Sequence, residues 1–438
     1  MQEPMIKGKA NISITKGTID CDFVLTGYPE IKDYSILLNS GFKVRYFRSI
    51  ETDLSYNYER SFDGEVSGES FAYYFPESTG KTKFLPKAFR IIYDGAFPVV
   101  FDTSTASADD WKGNIAFNGK TIRASEQSEW YPVLYDITKD NKYQNVKYDI
   151  DVTCADCETI YLNGHSPITG RFANFKSDKA VGLLIFAGNY KIVNVNETYF
   201  LNPDITAAQL EEFGKMTNMF KNYYQNILSI PYGSKITFIQ TTPVCKYKRD
   251  WLFVTYPSIV HVGYSGLKIF ANGNPNFHTF IAHEIAHYYF GTLAVFNSEL
   301  GDMILESFPE YLSMKASKKI LGNSVYEDML DKKIKRLKDF TIVPFAKIKS
   351  SKDYGDRNDY VYIYAPLIYI AMEKEIGEEK MIKWMRTILN SKAELTNYKF
   401  LTQTLGTILN DNIKSNTIIE KYFTSDSSIQ NLIQTLKK

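Results

Sequence analysis

Residues 277–312 read FHTFIAHEIAHYYFGTLAVFNSELGDMILESFPEYL. Within them His283-Glu284-Ile285-Ala286-His287 is followed, after eighteen intervening residues, by Glu306. Few patterns constrain a chain more. Residues i and i+4 of a helix lie on one face, one above the other, so His283 and His287 can aim both imidazoles at a single ion. Glu284 lies about 100° round the helix from His283. That is too far to share the coordination position, and near enough to reach a water beside the ion. A catalytic zinc centre takes three protein ligands and leaves a fourth position open. Glu306 is the candidate third ligand. It falls in a second helical stretch, 302–319, in which Ile304, Leu305, Phe308 and Leu312 form an apolar face. Eighteen residues suffice to end one helix, turn, and start a second that packs back on it. The expected centre is one zinc ion held by His283, His287 and Glu306, with Glu284 as general base.

The rest of the composition sets bounds on this reading. A chain of 438 residues has room for two or three domains, each with its own core. A net charge of +1 leaves no electrostatic footprint for nucleic acid. The 32 Tyr and 29 Phe suit half-buried strands. No apolar run reaches the roughly 18 residues of a membrane span, and the most apolar stretch, 361–372, reads as a buried helix. The N-terminus, MQEPMIKGKA, lacks the apolar core of a signal peptide. It admits a cytoplasmic protein, or a mature protein of the secreted, periplasmic or cell-envelope class. Met1 directly before Gln2-Glu3-Pro4 looks like a start placed at a processed end, which favours the second. The cysteines are Cys21, Cys154, Cys157 and Cys245. Cys154-Ala155-Asp156-Cys157 lacks the βαβ context of a redox motif and the second pair of a zinc knuckle. A local disulfide and two structural thiols are the main readings.

Residues 1–202 read as β. Short alternating runs (12–15, 42–46, 71–75, 89–93, 114–117, 147–152, 159–162, 180–186) are separated by turn signals such as Asn118-Gly119 and Asn163-Gly164. The expected form is a large open sheet or sandwich without internal repeats. The character changes near Pro203-Asp204, where Asp204 is a candidate cap for a helix carrying Leu210, Phe213, Met216, Met219, Phe220 and Tyr223 on one side. Strands at 235–240 and 251–254 precede the histidine helix. Helices then follow at 325–340, 360–376, 378–389, 398–409 and 418–436.

The combination goes beyond the ligands. Phe290-Gly291 follows the second histidine, and DMILESFPEY fills 302–311. Together these resemble the gluzincin metallopeptidases of the aminopeptidase N type, a family that also includes the leukotriene-hydrolysing epoxide hydrolase. The resemblance is strong over 275–312 and weaker elsewhere. It implies an α+β chain: an all-β saddle-like domain over 1–202, then a thermolysin-like mixed and helical zinc peptidase domain over 203–438 with a C-terminal helical lobe. It implies a catalytic tyrosine ahead of a Leu-Gly-Glu-Glu-like element. Counting back from Gly377 in Glu375-Ile376-Gly377-Glu378-Glu379 places it on Tyr362, with Tyr360 and Tyr364 as fallbacks. Asp302, one turn before Glu306, is a candidate to hold a ligand imidazole by its far nitrogen, or a plain helix cap. Glu310 reads as a solvated or structural carboxylate, and His165 and His278 as surface or core residues.

Two departures bear on specificity. Family exopeptidases carry Gly-x-Met-Glu-Asn before the zinc helix, and its Glu holds the α-amine of the substrate. Here the stretch reads Val260-His261-Val262-Gly263-Tyr264-Ser265-Gly266-Leu267, with Gly263 where that Glu belongs. An ammonium taken out of water needs an anionic partner; Glu129 or Glu126, ahead of Trp130-Tyr131-Pro132, is a candidate substitute. His261, Gly263, Tyr264 and Glu129 are the candidate substrate-binding residues, and the strand 260–267 would pair with extended substrate backbone. The chain also stops soon after one helical lobe, which should leave the cleft open to longer peptides. The expected function is a zinc peptidase, aminopeptidase-like on oligopeptides. The alternatives are an amine-independent peptidase, as Gly263 suggests, and a non-catalytic binding protein on a peptidase fold. Epoxide hydrolysis has no positive sign in the sequence.

Overall fold

The computed structural model describes residues 3–62, 69–77, 82–105, 109–245, 250–263, 267–268, 275–294, 296, 298–338, 340–393 and 395–437. By its internal contacts the chain divides into two units, Met1–Thr206 with Ser234–Lys268, and Ala207–Gly233 with Ile269–Lys438. The chain is mixed α+β, rich in strand toward its N-terminus and in helix toward its C-terminus.

The first unit is built from alternation. In Thr18–Thr26, Ile19, Cys21, Phe23 and Leu25 are buried, and the residues between them lie nearer the surface. Period-two patterning of this kind leaves a strand one core face. A six-stranded sheet runs in the order Phe172–Val181, Val146–Cys154, Met5–Ser13, Thr18–Thr26, Phe89–Ala96, Phe42–Arg48. Two five-stranded sheets share its core, in which Phe23, Tyr93 and Trp130 meet edge to face. Cys154 and Cys157 are joined in a disulfide. Asp156 between them accepts from Ser13, Ile14 and Thr15, closing the turn after Met5–Ser13.

A fourth sheet has the order Ile192–Val195, Thr198–Leu201, Ile236–Thr241, Ser258–Val262, Trp251–Thr255. Ile236–Thr241 lies parallel to Thr198–Leu201, so residues 234–268 group with the β-rich unit rather than after a break at 202/203.

Three sequence expectations need correction. The run 180–186 spans the end of Phe172–Val181 and the start of Ile185–Gly188, two separate strands. The longer one was hidden because its outward face is Lys- and Asp-rich. Asp204 lies ahead of a helix that starts at Ala207, and its carboxylate accepts from the Leu267 backbone N–H instead. Of the substrate-pairing strand expected at 260–267, the part up to Val262 is flanked on both sides, by Ile236–Thr241 and Trp251–Thr255, and offers no free edge, while residues 264–266 lie outside the described residues.

The second unit is helical. Helix α1 (Ala207–Leu228) buries Leu210, Phe213, Met216, Phe220, Tyr224 and Leu228, a stripe at three- and four-residue spacing that leaves Met219 outside. It is followed by α2 (Pro275–Ala286), α3 (Met303–Ile320), α4 (Asn323–Leu337), α5 (Ala365–Ile376), α6 (Glu378–Leu389), α7 (Tyr398–Leu409), α8 (Asn412–Ile419) and α9 (Ser428–Leu436). The expected helix at 360–376 opens with a wider π turn, Tyr360–Tyr364, and the expected one at 418–436 is broken at 420–427.

Candidate metal centre

Helix α2 is apolar where it meets the core: Ile281, Ala282, Ile285 and Ala286 are all buried. That face fixes its rotation and sends His283 and Glu284 to the other side. Tyrosines lock it in place. Tyr224 of α1 donates to the Ala282 carbonyl at 2.7 Å, Tyr289 donates to the Ile230 carbonyl at 3.0 Å, and Tyr288 accepts from the Gly233 N–H at 2.8 Å. The helix ends at Ala286, and His287 lies in the turn that follows. Gly291 has φ +133, and a Cβ there would fall 2.7 Å from Leu305 Cδ1, so this turn needs a residue without a side chain. Helix α3 packs against α2 and buries Met303, Ile304, Ser307, Phe308 and Tyr311. Phe308 stacks between Phe290 (4.8 Å) and Tyr369 of α5 (4.4 Å). The second histidine, the third ligand and α5 are thereby fixed relative to one another.

The two Nε2 atoms of His283 and His287 are 3.0 Å apart, and Glu306 Oε2 is 3.4 Å from each. Three donors on a tetrahedral zinc, at about 2.0–2.1 Å from the ion, are spaced by about 3.3 Å. The far nitrogens settle the tautomers. His283 Nδ1 donates to Glu310 Oε2 at 2.8 Å, and His287 Nδ1 donates to the Phe290 carbonyl at 3.2 Å. Both partners are acceptors only, so both Nε2 atoms face the same point as Glu306 Oε2, and a metal there would take the place of a proton on them. Such a cluster calls for positive charge. Burial opposes a proton on His283, yet Glu306 and Glu310 hold one there, pushed up to about 10. Burial likewise opposes charge on Glu306, and the two imidazoles still hold it well below the usual carboxylate range. Among the described residues these three form the group able to hold a metal ion, and their donor set fits zinc.

Glu284 lines a cavity of about 260 Å³ beside the cluster, together with Thr279, Phe280, His283, Glu310, Met329 and Tyr362. The Tyr362 ring lies 5.7 Å from that of His283. Burial and the Glu306 charge push its phenol up, and hydrogen bonding to Arg357 pulls the other way; the net shift is upward, so near neutrality the hydroxyl keeps its proton. Tyr360 and Tyr364 are committed elsewhere, to the Val343 carbonyl and to Ser428.

Asp302 does not hold an imidazole. It sits at the N-cap of α3 without a capping bond, and its Oδ2 takes the Arg357 guanidinium. Arg357 also reaches Glu306 Oε1 at 3.1 Å. The imidazole partner is Glu310, one turn beyond Glu306 on the face toward α2. The spacing Glu306-x-x-x-Glu310 is the signal that could have found it. Lys333 of α4 pairs with Glu310 at 2.5 Å and had no signal at all.

The remaining candidates belong to the first unit. Glu129 is buried and paired with Lys142 at 2.9 Å, and its Oε2 has no hydrogen-bond partner among the described residues. Glu126 is paired with Lys112 and accepts from Thr255. His261 is 1% exposed, and its Nδ1 is 2.6 Å from Gln240 Oε1. At Gly263 a Cβ would fall 1.9 Å from Asp250 Oδ1, so the carboxylate at this strand end belongs to Asp250. Tyr264 lies outside the described residues.

No protein-family model matches the sequence, and no curated protein sequence matches it. Solved structures do. Native yeast LTA4 hydrolase superposes with a TM-score of 0.67 at 13% identity, over 96% of this chain and 68% of that one. An M1 zinc metallopeptidase from Deinococcus radiodurans gives a TM-score of 0.65 at 11% identity, over 97% and 94%. A mutant of that enzyme bound to a Tyr-Ser-Ala substrate gives 0.65 at 13%, over the same shares. The chain therefore carries the fold of the M1 zinc metallopeptidases and of leukotriene A4 hydrolase, and resembles the aminopeptidase N-type gluzincins.

Proposed function

We propose that the chain is a zinc-dependent peptidase, aminopeptidase-like on oligopeptides, that hydrolyses peptide bonds with activated water. The observation that carries this reading is the convergence of three lone-pair donors beside a cavity that also holds Glu284 and Tyr362. His283, His287 and Glu306 would hold the zinc. When bound, zinc supplies Lewis-acid polarisation of a carbonyl and lowers the pKa of water to about 7.

The remaining work falls to side chains. Glu284 takes the proton of the attacking water and passes it to the leaving amine as the C–N bond breaks. Tyr362 donates its hydroxyl hydrogen to the developing oxyanion. Glu310 and the Phe290 carbonyl keep both imidazoles in the Nδ1–H form. Arg357 ties back Glu306 Oε1, leaving Oε2 to face the histidines.

A second reading, an amine-independent peptidase, is favoured by Gly263, which has no carboxylate to offer. The test is a peptide mixture, half of it N-acetylated, incubated with zinc-loaded protein and read by mass spectrometry. Cleavage confined to free N-termini supports the aminopeptidase, and cleavage of both halves the second reading. Activity that survives Glu284→Gln would overturn the mechanism. No cleavage at full zinc occupancy would leave a binding protein on a peptidase fold.

A further inference from the structure

Residue 366 is proline. It has no N–H, so the Tyr362 carbonyl cannot receive the i→i−4 helical bond that residue 366 would otherwise give. The backbone answers with the wider turn Tyr360–Tyr364, in which the Ala365 N–H reaches back to the Tyr360 carbonyl. π turns of this kind concentrate at functional sites. The Tyr362 carbonyl is met by a side chain instead: Lys333 of α4 donates to it at 2.6 Å. The same ammonium donates to Glu310 Oε1 at 2.5 Å, and Glu310 Oε2 holds His283 Nδ1 at 2.8 Å. Lys333 and Glu310 are each 13% exposed, so the pair is largely removed from solvent.

We propose that Lys333 is a positioning residue that fixes Tyr362 relative to His283, through a relay running from imidazole to Glu310, to Lys333, to the Tyr362 backbone. Two helices and a turn contribute: α3 gives Glu310, α4 gives Lys333, and the π turn before α5 gives Tyr362. Met329, one turn before Lys333, lines the same cavity as Tyr362, so the relay forms a wall of the site. A buried pair of this kind serves geometry more than stability, because desolvation offsets much of its attraction. The geometry matters because a misplacement of about 1 Å at a reacting group costs on the order of a hundredfold in rate.

The inference rests on the peptidase reading for what Tyr362 does, and not for the relay itself. Two readouts keep them apart. The first is crystallographic, on metal-free and zinc-loaded Lys333→Met/Glu310→Gln, in which both charges are removed so that neither is left buried alone. The amide oxygen that Glu310→Gln introduces can still accept from His283, and Tyr362 should move by about 1 Å or more from His283. A Tyr362 left in place overturns the proposal, whether or not the protein cleaves peptides. The second is a double-mutant cycle. The double variant should lower kcat about ten- to a hundredfold with KM nearly unchanged, and Lys333→Arg should restore part of it. In a Tyr362→Phe background that loss should vanish. A loss that persists there, or an unchanged kcat, overturns the proposal.

Discussion

His283 Nδ1 donates to Glu310 Oε2 at 2.8 Å, while Asp302, equally one turn from Glu306 but on its other side, is held by Arg357. Two carboxylates flanking the same ligand therefore have different work. Glu310→Ala should weaken zinc affinity about ten- to a hundredfold, the usual cost of losing an imidazole's carboxylate partner. Asp302→Asn should leave zinc affinity within about threefold, since it touches neither imidazole. Chelator competition reads both. The reverse order would return the role to Asp302.

Tyr362→Phe removes the hydroxyl beside the cluster and nothing from the core. The expected loss in kcat is about a hundred- to a thousandfold, with KM and melting temperature nearly unchanged. Tyr360→Phe should do the opposite. It removes a hydrogen bond to the Val343 carbonyl, costs about 1 kcal/mol of stability, and spares kcat. Steady-state kinetics and denaturant unfolding on the two variants separate them.

Phe308 is fully buried and stacked between Phe290 and Tyr369. Phe308→Ala should cost about 3–5 kcal/mol in denaturant unfolding. Zinc affinity should fall as well, because the Phe290 carbonyl that orients His287 loses its packed neighbour. A stability loss with zinc affinity untouched would show that the turn holds itself.

Asp156 titrates against stability. Burial raises its pKa, but hydrogen bonds from Thr15, the Ile14 and Thr15 N–H groups and Ser13 win, and it is lowered to about 2. Its folded pKa lies below the ordinary aspartate value, so the stabilisation is complete above about pH 4 and is lost as pH falls toward 2. Asp156→Asn should flatten that limb of the acid-unfolding curve of the β-rich unit and leave neutral-pH zinc binding alone. An unchanged acid limb would contradict the assignment.

What the sequence made legible was local. His283 and Glu284 lie in the last turn of α2, His287 follows just past its end, and Glu306 comes at a fixed interval, so spacing alone was enough to group them. The helices 378–389 and 398–409 were readable because their apolar stripes are complete. Glu310 was half legible: its spacing from Glu306 was visible, but not which helix its side of α3 would face. Lys333 was not, because its role exists only after α4, α3 and the π turn are packed together. Asp250 reaches the backbone at Gly263 across a strand pairing, a register that no linear pattern encodes. The closed side of Ser258–Val262 was hidden for the same reason. Ser258–Val262 has the right character, but Trp251–Thr255 folds back and occupies its side.

The account turns on what His283, His287 and Glu306 hold. X-ray absorption at the zinc edge of the zinc-loaded protein tests this most directly. The account predicts one zinc per chain, with two imidazole nitrogens and light oxygen scatterers at about 2.0–2.2 Å and no sulfur. A sulfur shell near about 2.3 Å, or a zinc without imidazole scattering, would contradict it.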